Sequence, residues 1–305
     1  RSYPELARAL DAIARWDEGA LAADRQRFYQ IYRPISILPP DQYMAVVLQA
    51  TEGCSHNACT FCHLYRDRRF RIRSADEFRQ HLAQVKDFLG DSLRLRQSVF
   101  LADANALVIP QRHLLPMMEA TYQAFDIARP REGSRKLTGI YSFIDAFHVE
   151  RKSLADWQAL ASWGLRRVYI GMETGDAELL RFLNKPGTVD DVIEATSLLK
   201  KAGVAVSVII LLGIGGDRYA EAHVERTAQA LNAMPLGEGD IIYFSEFVDY
   251  PEVEYRALAQ AAGIHPLTVS EMRAQAAAIQ ARLHWADPCH PPRLSRYDVR
   301  SFVYG

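Results

Sequence analysis

The segment MAVVLQATEGCSHNACTFCH, residues 44–63, runs from an apolar stretch directly into three of the four cysteines in the chain. The apolar part predicts a buried strand, because its hydrophobic residues are continuous and then give way to a polar loop. Cys54, Cys59 and Cys62 follow within nine residues. Thiolates are ligands of zinc, copper(I) and iron–sulfur clusters, so this loop at the end of a strand predicts a metal site.

Strand-like and helix-like segments alternate downstream of this loop. The predicted strands are 44–50, 98–102, 137–143, 167–172, 205–212 and 241–248. The segments between them have helical periodicity, and a helix is the usual crossover between parallel strands. We therefore expect an α/β fold, a partial (β/α)6 TIM-like barrel with its chemistry at the carboxyl ends of the strands. A flat, doubly wound sheet would give the same local pattern.

Two smaller segments are expected to flank the alternating part. Residues 1–42 are predicted to form an N-terminal helical extension and a linker rich in proline, and residues 43–250 the core. Residues 251–305 are predicted to form a C-terminal cap. Two helices, about 253–262 and 269–285, would lead there to a coil tail that covers the open side of the barrel.

Composition narrows the class of protein. The 305 residues are 49% hydrophobic and 24% charged, which is typical of a globular core, and the net charge of -1 gives no bias toward nucleic acid. The Arg-rich run 66–73 is expected to be a solvated loop that contacts carboxylates or phosphates. The sequence contains no apolar run long enough for a membrane span and no secretory signal pattern. Together with the clustered cysteines, these features favour a reducing, cytoplasmic location.

The cysteines alone leave two kinds of metal site open. A structural zinc ion needs four closed ligands, and His56 or His63 could supply the fourth. A cubane iron–sulfur cluster needs one thiolate per iron, so three thiolates leave one iron free to bind a small molecule. The pattern favours the cluster over zinc.

The cysteine loop, placed after the first strand of such a pattern, resembles that of the radical S-adenosylmethionine (radical SAM) superfamily. The resemblance implies that Cys54, Cys59 and Cys62 hold a 4Fe–4S cluster. It also implies that S-adenosylmethionine chelates the fourth iron, and that Phe61 lies against the adenine. The commonest spacing in the family has three residues between the first two cysteines, whereas this chain has four, at 55–58.

Two later segments extend the resemblance at the polar end of the cofactor. The segment LADANA, residues 101–106, stands where the family has a Gly-Gly-Glu type segment that binds the amino group, although the Gly pair is absent. Asp103 is the candidate carboxylate there, with Asn105 beside it. The segment GMETG, residues 171–175, resembles a family segment whose glutamate, here Glu173, contacts the polar end or the ribose.

Two further matches complete this set. Lys185 resembles a basic residue that faces the methionine carboxylate. The fifth predicted strand ends in LLGIGGD, residues 211–217, which resembles the segment of the family that contacts adenine, with Gly213 and Gly215 as the candidate residues. The order of the cysteine loop, the acidic segment, the glutamate segment and the glycine segment, on predicted strands one, two, four and five, supports the resemblance more than any single match does.

The resemblance implies an enzyme in which the reduced cluster cleaves S-adenosylmethionine to methionine and a 5′-deoxyadenosyl radical. The radical would abstract hydrogen from a substrate, here expected to be a small molecule. An electron donor such as flavodoxin or ferredoxin is implied as a partner. The sequence shows no second cysteine cluster and no separate cobalamin-binding domain.

Two alternatives remain open from the residues themselves. One is a zinc-stabilised (β/α) binding module without catalysis, and the other is a nucleotide enzyme that uses the glycine segment. Cys289, in the Pro-rich tail, is expected to be structural, although it could approach the site. Polar residues considered for a substrate pocket, most of them expected only to fill the barrel, are Tyr141, Asp145, Tyr169, Ser207, Tyr243 and Glu246.

Overall fold

In the computed structural model, which describes residues 3–127, 137–301 and 304, parallel strands alternate with helices. The strands are β1 (Ala45–Gln49), β2 (Thr51–Glu52), β3 (Arg71–Ile72), β4 (Ser98–Ala102), β5 (Ile140–Phe143), β6 (Leu165–Glu173), β7 (Ala205–Leu212), β8 (Ile241–Glu246) and β9 (Arg293–Tyr297). The helices are α1 (Pro4–Ala14), α2 (Glu18–Ile31), α3 (Ala75–Leu89), α4 (Gln111–Ala124), α5 (Leu154–Ser162), α6 (Ala177–Phe182), α7 (Val189–Lys201), α8 (Gly216–Ala233), α9 (Tyr255–Ala261) and α10 (Val269–Gln280).

Several helices begin where their sequence caps them. Ser74, Ser153 and Thr188 each accept a hydrogen bond from the third residue of α3, α5 and α7, and the acidic side chain of that residue bonds back to the cap. These capping boxes satisfy backbone N–H groups that a helix start leaves unpaired. They fix the points at which the chain turns back along the sheet.

The main sheet contains seven parallel strands in the order β1-β4-β5-β6-β7-β8-β9. Strands β4 and β7 have the bounds that the sequence predicts, and the other four predicted strands differ only at their ends. In the described residues β1 and β9 are the two edges, so the barrel is not closed. The predicted fold class, a partial TIM-like barrel, is confirmed.

A seventh strand, β9, lies where the sequence predicts a coil tail. It pairs in parallel with β8, from Arg293 opposite Ile241 to Tyr297 opposite Ser245. The coil prediction is wrong here because an edge strand with one partner does not need an apolar run, and Arg293 and Arg296 are exposed. Helix α10 also ends at Gln280, five residues before the predicted end.

The sheet is curved, because residues from all seven strands, or from the loops that follow them, line one cavity. A flat sheet of seven strands would separate its edges by six spacings of about 4.8 Å, or about 29 Å. Instead, a cavity of about 290 Å³ is lined by residues on β5, β6, β7, β8 and β9 and by residues that follow β1 and β4 within five positions. These residues include Cys54, Ala104, Phe143, Glu173, Leu211, Ser245 and Tyr297. The flat alternative therefore does not describe this chain.

Residues 32–42, predicted as a linker, fill the gap between the two edge strands. The Tyr32 hydroxyl donates to the Val47 carbonyl of β1 at 3.0 Å, and the Tyr297 hydroxyl of β9 donates to the Leu38 carbonyl at 2.6 Å. Tyr32 and Leu38 are buried. The segment is thus a structural part of the barrel rather than an exposed connection, and its prolines suit an extended chain that needs no ladder partners.

The Arg-rich run is partly a strand. Strand β3 pairs with β2 in an antiparallel ribbon, and Arg71 and Arg73 contact the Glu52 carboxylate at 2.8 and 3.2 Å. The expectation of carboxylate contacts is confirmed, while the expectation of a loop is wrong for Arg71–Ile72. No helix among those described combines the length and the apolar character that a membrane span requires.

Candidate active site

The three clustered thiols line the cavity together. Burial raises the pKa of Cys54 and Cys62, and it raises the pKa of Cys59 to about 12. Thiols in such surroundings stay protonated unless a positive charge offsets the cost of desolvation. Metal binding supplies that charge, since thiolates and not thiols are the ligands. Over residues 3–127 and 137–301, no three His, Cys, Asp or Glu side chains are grouped as the ligands of one metal ion would be. A cubane cluster instead takes one thiolate at each of three irons.

Arg66 holds the shape of the cysteine loop. Its guanidinium donates to the carbonyls of Asn57 at 2.8 Å, Cys59 at 2.7 Å and Cys62 at 3.1 Å. Hydrogen bonds from a charged donor are stronger than neutral ones, and a planar fork restricts the geometry of its acceptors. The sequence pattern placed Arg66 in a solvated run, so this role was missed.

The four residues between Cys54 and Cys59 contact a second segment of the chain, residues 183–184. Nε2 of His56 lies 2.9 Å from the carbonyl of Asn184, and Nδ2 of Asn184 donates to the carbonyl of Ala58 at 2.8 Å. The N–H of Thr60 donates to the carbonyl of Leu183 at 2.9 Å. The inserted length therefore makes contact with the residues that directly precede Lys185.

Asn57 turns the chain inside this gap. Its φ of 46° lies in the left-handed region, which asparagine tolerates better than most residues. Its Nδ2 donates to the carbonyl of Tyr65 at 2.8 Å, and its N–H points to the Cys54 sulfur at 3.4 Å. The turn thus places one backbone donor at a candidate metal ligand.

The segment GMETG ends β6 with its glutamate folded back toward the cavity. Glu173 has a φ of 62°, and a Cβ on Gly171 would overlap its Oε1 atom. The glycine is therefore required for the position of this carboxylate. Oε1 of Glu173 lies 3.4 Å from Nζ of Lys185, and both side chains line the cavity.

The rest of this segment is fixed by α8. A Cβ on Gly175 would overlap the carbonyl of Arg226, and the N–H of Gly175 donates to Oγ1 of Thr227 at 2.9 Å. The Thr174 hydroxyl lies 2.8 Å from Nδ1 of His223. Close approach of the backbone to α8 thus explains the second glycine and the threonine.

Lys185 lies between two carboxylates. Its Nζ is 3.4 Å from Glu173 and 3.4 Å from Asp145. Burial opposes the charge of Lys185, but the two carboxylates outweigh it and raise its pKa. Burial also raises the pKa of Glu173, against the effect of Lys185. Beside the thiols the chain therefore holds one buried ammonium and two acidic groups.

Asp145 was one of the candidates for the substrate pocket, most of which were expected only to fill the barrel, and it lines the cavity. Its Oδ2 accepts a hydrogen bond from the Asn105 side chain, its N–H donates to Oδ1 of Asn105 at 2.7 Å, and Nδ2 of Asn105 donates to the Ser55 hydroxyl at 2.9 Å. Asn105 thus links the cysteine loop to Asp145 behind the cavity surface. Its position after a predicted strand was the only sign in the sequence that Asp145 could belong to the site. Its pairing with Lys185 could not be predicted, because the two residues are 40 positions apart.

Asp103 lies behind the loop and not on the cavity surface. Its carboxylate accepts from the N–H of Gly53 at 3.0 Å and from the Gln49 side chain at 3.1 Å. Burial raises its pKa. Ala104 lines the cavity in its place. The predicted contact of Asp103 with the cofactor amino group stays a prediction. In the structure Asp103 anchors the start of the cysteine loop.

The glycine segment after β7 is covered by the C-terminal helices. The N–H of Gly213 donates to Gln275 at 2.8 Å, and a Cβ there would overlap Met272. The N–H of Gly215 donates to the Tyr255 hydroxyl at 2.9 Å. These glycines turn the chain into α8, and their predicted contact with adenine stays a prediction.

Three of the remaining sequence candidates belong to the cavity. Phe61, Tyr169 and Glu246 line it. Tyr243 donates to Asp41 at 2.8 Å below the cavity, and Cys289 lies exposed in a turn where its N–H donates to Asp287. Cys289 is therefore part of the surface.

The family model described as the radical SAM superfamily matches residues 48–229, more than half of the chain. The chain belongs to the radical SAM superfamily and is an enzyme. This result agrees with the order of motifs along the strands and with their convergence on one cavity.

Curated relatives share part of this region. The 4′-phospho-dehydrooxetanocin synthase of Priestia megaterium is 24% identical in an alignment of 216 residues that covers 65% of this chain and 28% of that protein. The uncharacterized protein MK0932 of Methanopyrus kandleri is 33% identical in an alignment of 92 residues that covers 28% of this chain and 17% of that protein. The chain thus spans less than a third of the length of either relative.

Solved structures share the fold. The radical S-adenosylmethionine methyltransferase TsrM from Kitasatospora setae, with cobalamin and a 4Fe–4S cluster bound, gives a TM-score of 0.56 at 15% identity. The match covers 87% of this chain and 58% of TsrM. Coproporphyrinogen III oxidase HemN from Escherichia coli, a radical SAM enzyme, gives 0.55 at 12% identity and covers 88% of this chain and 56% of that chain. At these identities the likeness concerns the fold alone.

Proposed function

We propose that the cavity binds a 4Fe–4S cluster through Cys54, Cys59 and Cys62, with S-adenosylmethionine beside it, and starts radical chemistry on a small-molecule substrate. The observation that carries the proposal is the convergence of these thiols with Lys185 and Glu173 on one cavity of about 290 Å³. Membership of the superfamily supports it.

The donor set fits a cluster. The three thiols face one cavity, and each has a pKa raised by burial that the positive charge of bound iron would offset. Arg66 holds the carbonyls of the loop, so the thiols are positioned by the protein itself. Three thiolates suit a cluster that leaves one iron for a second ligand.

The charged residues beside the thiols fit an amino acid group. The ammonium of Lys185 would take the carboxylate of S-adenosylmethionine, while Glu173 and Asp145 would face its positively charged or hydroxyl groups. A buried charge needs a partner. Nζ of Lys185 lies 3.4 Å from Glu173 and from Asp145, so a bound ligand could replace these long contacts with shorter ones. Phe61 and Leu211 would keep water away from the reacting atoms.

When bound, the cluster and S-adenosylmethionine supply a 5′-deoxyadenosyl radical after reduction by one electron. The work of this chain is to hold the sulfonium near the thiolate-bound cluster, to exclude water, and to present one hydrogen of the substrate. A reductant such as flavodoxin or ferredoxin would supply the electron.

The zinc-stabilised alternative has no assembled ligand set. Within residues 3–127 and 137–301 no three His, Cys, Asp or Glu side chains are grouped as the ligands of one metal ion would be. His56 and His63, the candidate fourth ligands, contact the Asn184 carbonyl at 2.9 Å and the Tyr250 ring at 3.9 Å between centroids.

Anaerobic reconstitution with iron and sulfide tests the proposal. We expect four irons per chain, a brown protein, and 5′-deoxyadenosine from S-adenosylmethionine after reduction. Cys54→Ala, Cys59→Ala and Cys62→Ala should each lose the cluster, while the matched variant Cys289→Ala should keep it. A reduced protein that is fully loaded yet releases no 5′-deoxyadenosine with a broad set of substrates would contradict the proposal.

A further inference from the structure

One side of the cavity is apolar. We call it the apolar wall, and it comprises Ile209, Leu211, Phe247, Tyr297 and Val299. On β7 the exposure alternates: Val208 and Ile210 are fully buried, whereas Ile209 and Leu211 are half-buried. Since successive side chains of a strand point to opposite faces, the half-buried residues are those that face the cavity.

The tyrosine in this wall presents its ring and not its hydroxyl. The hydroxyl of Tyr297 donates to the carbonyl of Leu38 at 2.6 Å. Tyr169, next to the wall in the same cavity, donates its hydroxyl to Asp41 at 2.7 Å. Both hydroxyls are therefore satisfied within the chain, which leaves aromatic surface toward the cavity.

Ser245 lies in the middle of the apolar wall. It stands opposite Leu211 on β7 and opposite Tyr297 on β9, and all three residues line the cavity. The residue is 2% exposed, and its Oγ atom has no hydrogen-bond partner. A buried hydroxyl without a partner is unfavourable, so a bound molecule that offers a polar group would gain from satisfying it.

The charged residue at the edge of this wall is already paired. The carboxylate of Glu246 accepts from Arg296 at 2.8 Å and from Arg300 at 3.2 Å, with Arg273 at 3.8 Å. A charged group placed against the wall would lose its hydration without gaining a free opposite charge from Glu246. An uncharged molecule loses less hydration free energy than a charged one when it binds against this wall.

We propose that the apolar wall and Ser245 form the substrate subsite, and that the substrate is an uncharged, mainly apolar molecule with a hydroxyl or carbonyl group bonded to Oγ of Ser245. This inference rests on the proposed radical SAM function, because it assigns the substrate of the same cavity. Ser245 thereby becomes a specificity residue, and the hydrogen to be removed lies on the part of the substrate that faces the thiols.

Four probes of one shape test this assignment: benzyl alcohol, toluene, benzoate and benzylamine. Their binding is measured by ligand-observed NMR on the anaerobic protein loaded with cluster and S-adenosylmethionine. Benzyl alcohol should bind about tenfold more tightly than toluene, the gain of one satisfied hydrogen bond. Benzoate and benzylamine should bind most weakly.

Two variants distinguish the contribution of the Ser245 hydroxyl to binding from that of the apolar wall. Ser245→Ala should remove the preference for benzyl alcohol over toluene. Ser207→Ala is the matched control, because Ser207 is also a buried serine without a hydroxyl partner but does not line the cavity, and the preference should persist. If Ser245→Ala does not fold, Ser245→Cys keeps the shape with a weak donor and should reduce the preference.

The inference is overturned if Ser245→Ala or Ser245→Cys binds the probes as the unchanged protein does, or if benzoate or benzylamine binds most tightly. The same samples are assayed for 5′-deoxyadenosine. Its formation without the predicted preference rejects the subsite and keeps the proposed function. The preference without 5′-deoxyadenosine supports the subsite and rejects the proposed function.

Discussion

The Nε2 atom of His56 lies 2.9 Å from the backbone carbonyl of Asn184, across 128 residues of sequence. Because a carbonyl only accepts, His56 carries a proton on this nitrogen. The four-residue gap between Cys54 and Cys59 thus contacts the segment that directly precedes Lys185. The thiols and the buried ammonium are thus parts of one connected unit.

Substitution of Asn184 tests this connection. Its φ of 49° suits glycine, whereas a β-branched residue there is strained by about 1–3 kcal/mol. Asn184→Gly keeps the carbonyl that faces His56 and should retain most of the stability and the iron content. Asn184→Val should lower the free energy of unfolding by about 2 kcal/mol and reduce iron loading. Denaturant titration and iron analysis measure both effects, and equal behaviour of the variants would count against the connection.

Arg66 should control how firmly the cluster is retained. Arg66→Ala removes three hydrogen bonds to loop carbonyls, so release of iron to a chelator should be about tenfold faster. The exposed Arg69, changed to Ala, is the control for loss of a nearby positive charge. Release rates that are the same for both variants would remove the role assigned to Arg66.

Gly171 should be needed for cofactor affinity. In Gly171→Ala the new Cβ displaces the Glu173 carboxylate, and affinity for S-adenosylmethionine should fall by about tenfold or more. Gly237→Ala is the control, since its Cβ would meet the nearest atom at an ordinary 3.4 Å. Calorimetric titration of the loaded protein gives the two affinities. A wild-type affinity in Gly171→Ala would show that the position of Glu173 is not critical.

Substitution of Asp103 tests whether this residue anchors the cysteine loop or binds the cofactor. Asp103→Asn removes one of two acceptors that hold Gly53 and Gln49, so thermal stability and iron loading should fall. The fraction that does carry a cluster should bind S-adenosylmethionine with nearly unchanged affinity. A large loss of affinity at full cluster loading would instead support the contact that the family resemblance implies.

Stability should fall in mild acid through His81. Its Nε2 accepts from the N–H of Gln49 at 3.0 Å, and burial lowers its pKa to about 3. An unfolded histidine titrates near pH 6.5, about 3.5 units higher, so the folded protein loses stability as the pH falls from 6.5 toward 3. At pH 5 the expected loss from this group is about 2 kcal/mol.

The variant His81→Gln checks this assignment. Glutamine keeps an acceptor for Gln49 but does not titrate, so the loss between pH 7 and pH 5 should shrink by about 2 kcal/mol. Denaturant unfolding at the two pH values gives the difference. An unchanged difference would assign the acid sensitivity to other groups, such as His223, whose pKa burial lowers to about 4.

Local pattern was enough to predict much of this structure. The core strands are apolar and the helices carry their own caps, so β4 and β7 were predicted with their observed bounds. The rule that chemistry lies at the carboxyl ends of parallel strands predicted the place of the thiols and of Glu173, and both line one cavity. Lys185, which follows α6 and lines the same cavity, was named from the family resemblance instead. These inferences depend on neighbours in sequence or on a property common to all such sheets.

Other features depend on partners that are distant in sequence. Strand β9 pairs only with the edge of β8, and Asp145 is paired with Lys185, 40 residues further along the chain. A motif also does not specify the direction of each side chain. Ala104 faces the cavity where the resemblance pointed to Asp103, one residue away.

The segment 32–42 has a mechanical consequence. Strands within the sheet are joined by ladders of backbone hydrogen bonds, but this segment meets the two edge strands largely through side chains, at Tyr32 with Val47 and at Tyr297 with Leu38. The barrel therefore has a seam. Widening the cavity along the seam breaks side-chain hydrogen bonds, those of the Tyr32 and Tyr297 hydroxyls and those of the Gln49 amide with Arg33. Widening it elsewhere unpairs a strand. We therefore expect the cavity to widen along this seam before it opens between paired strands.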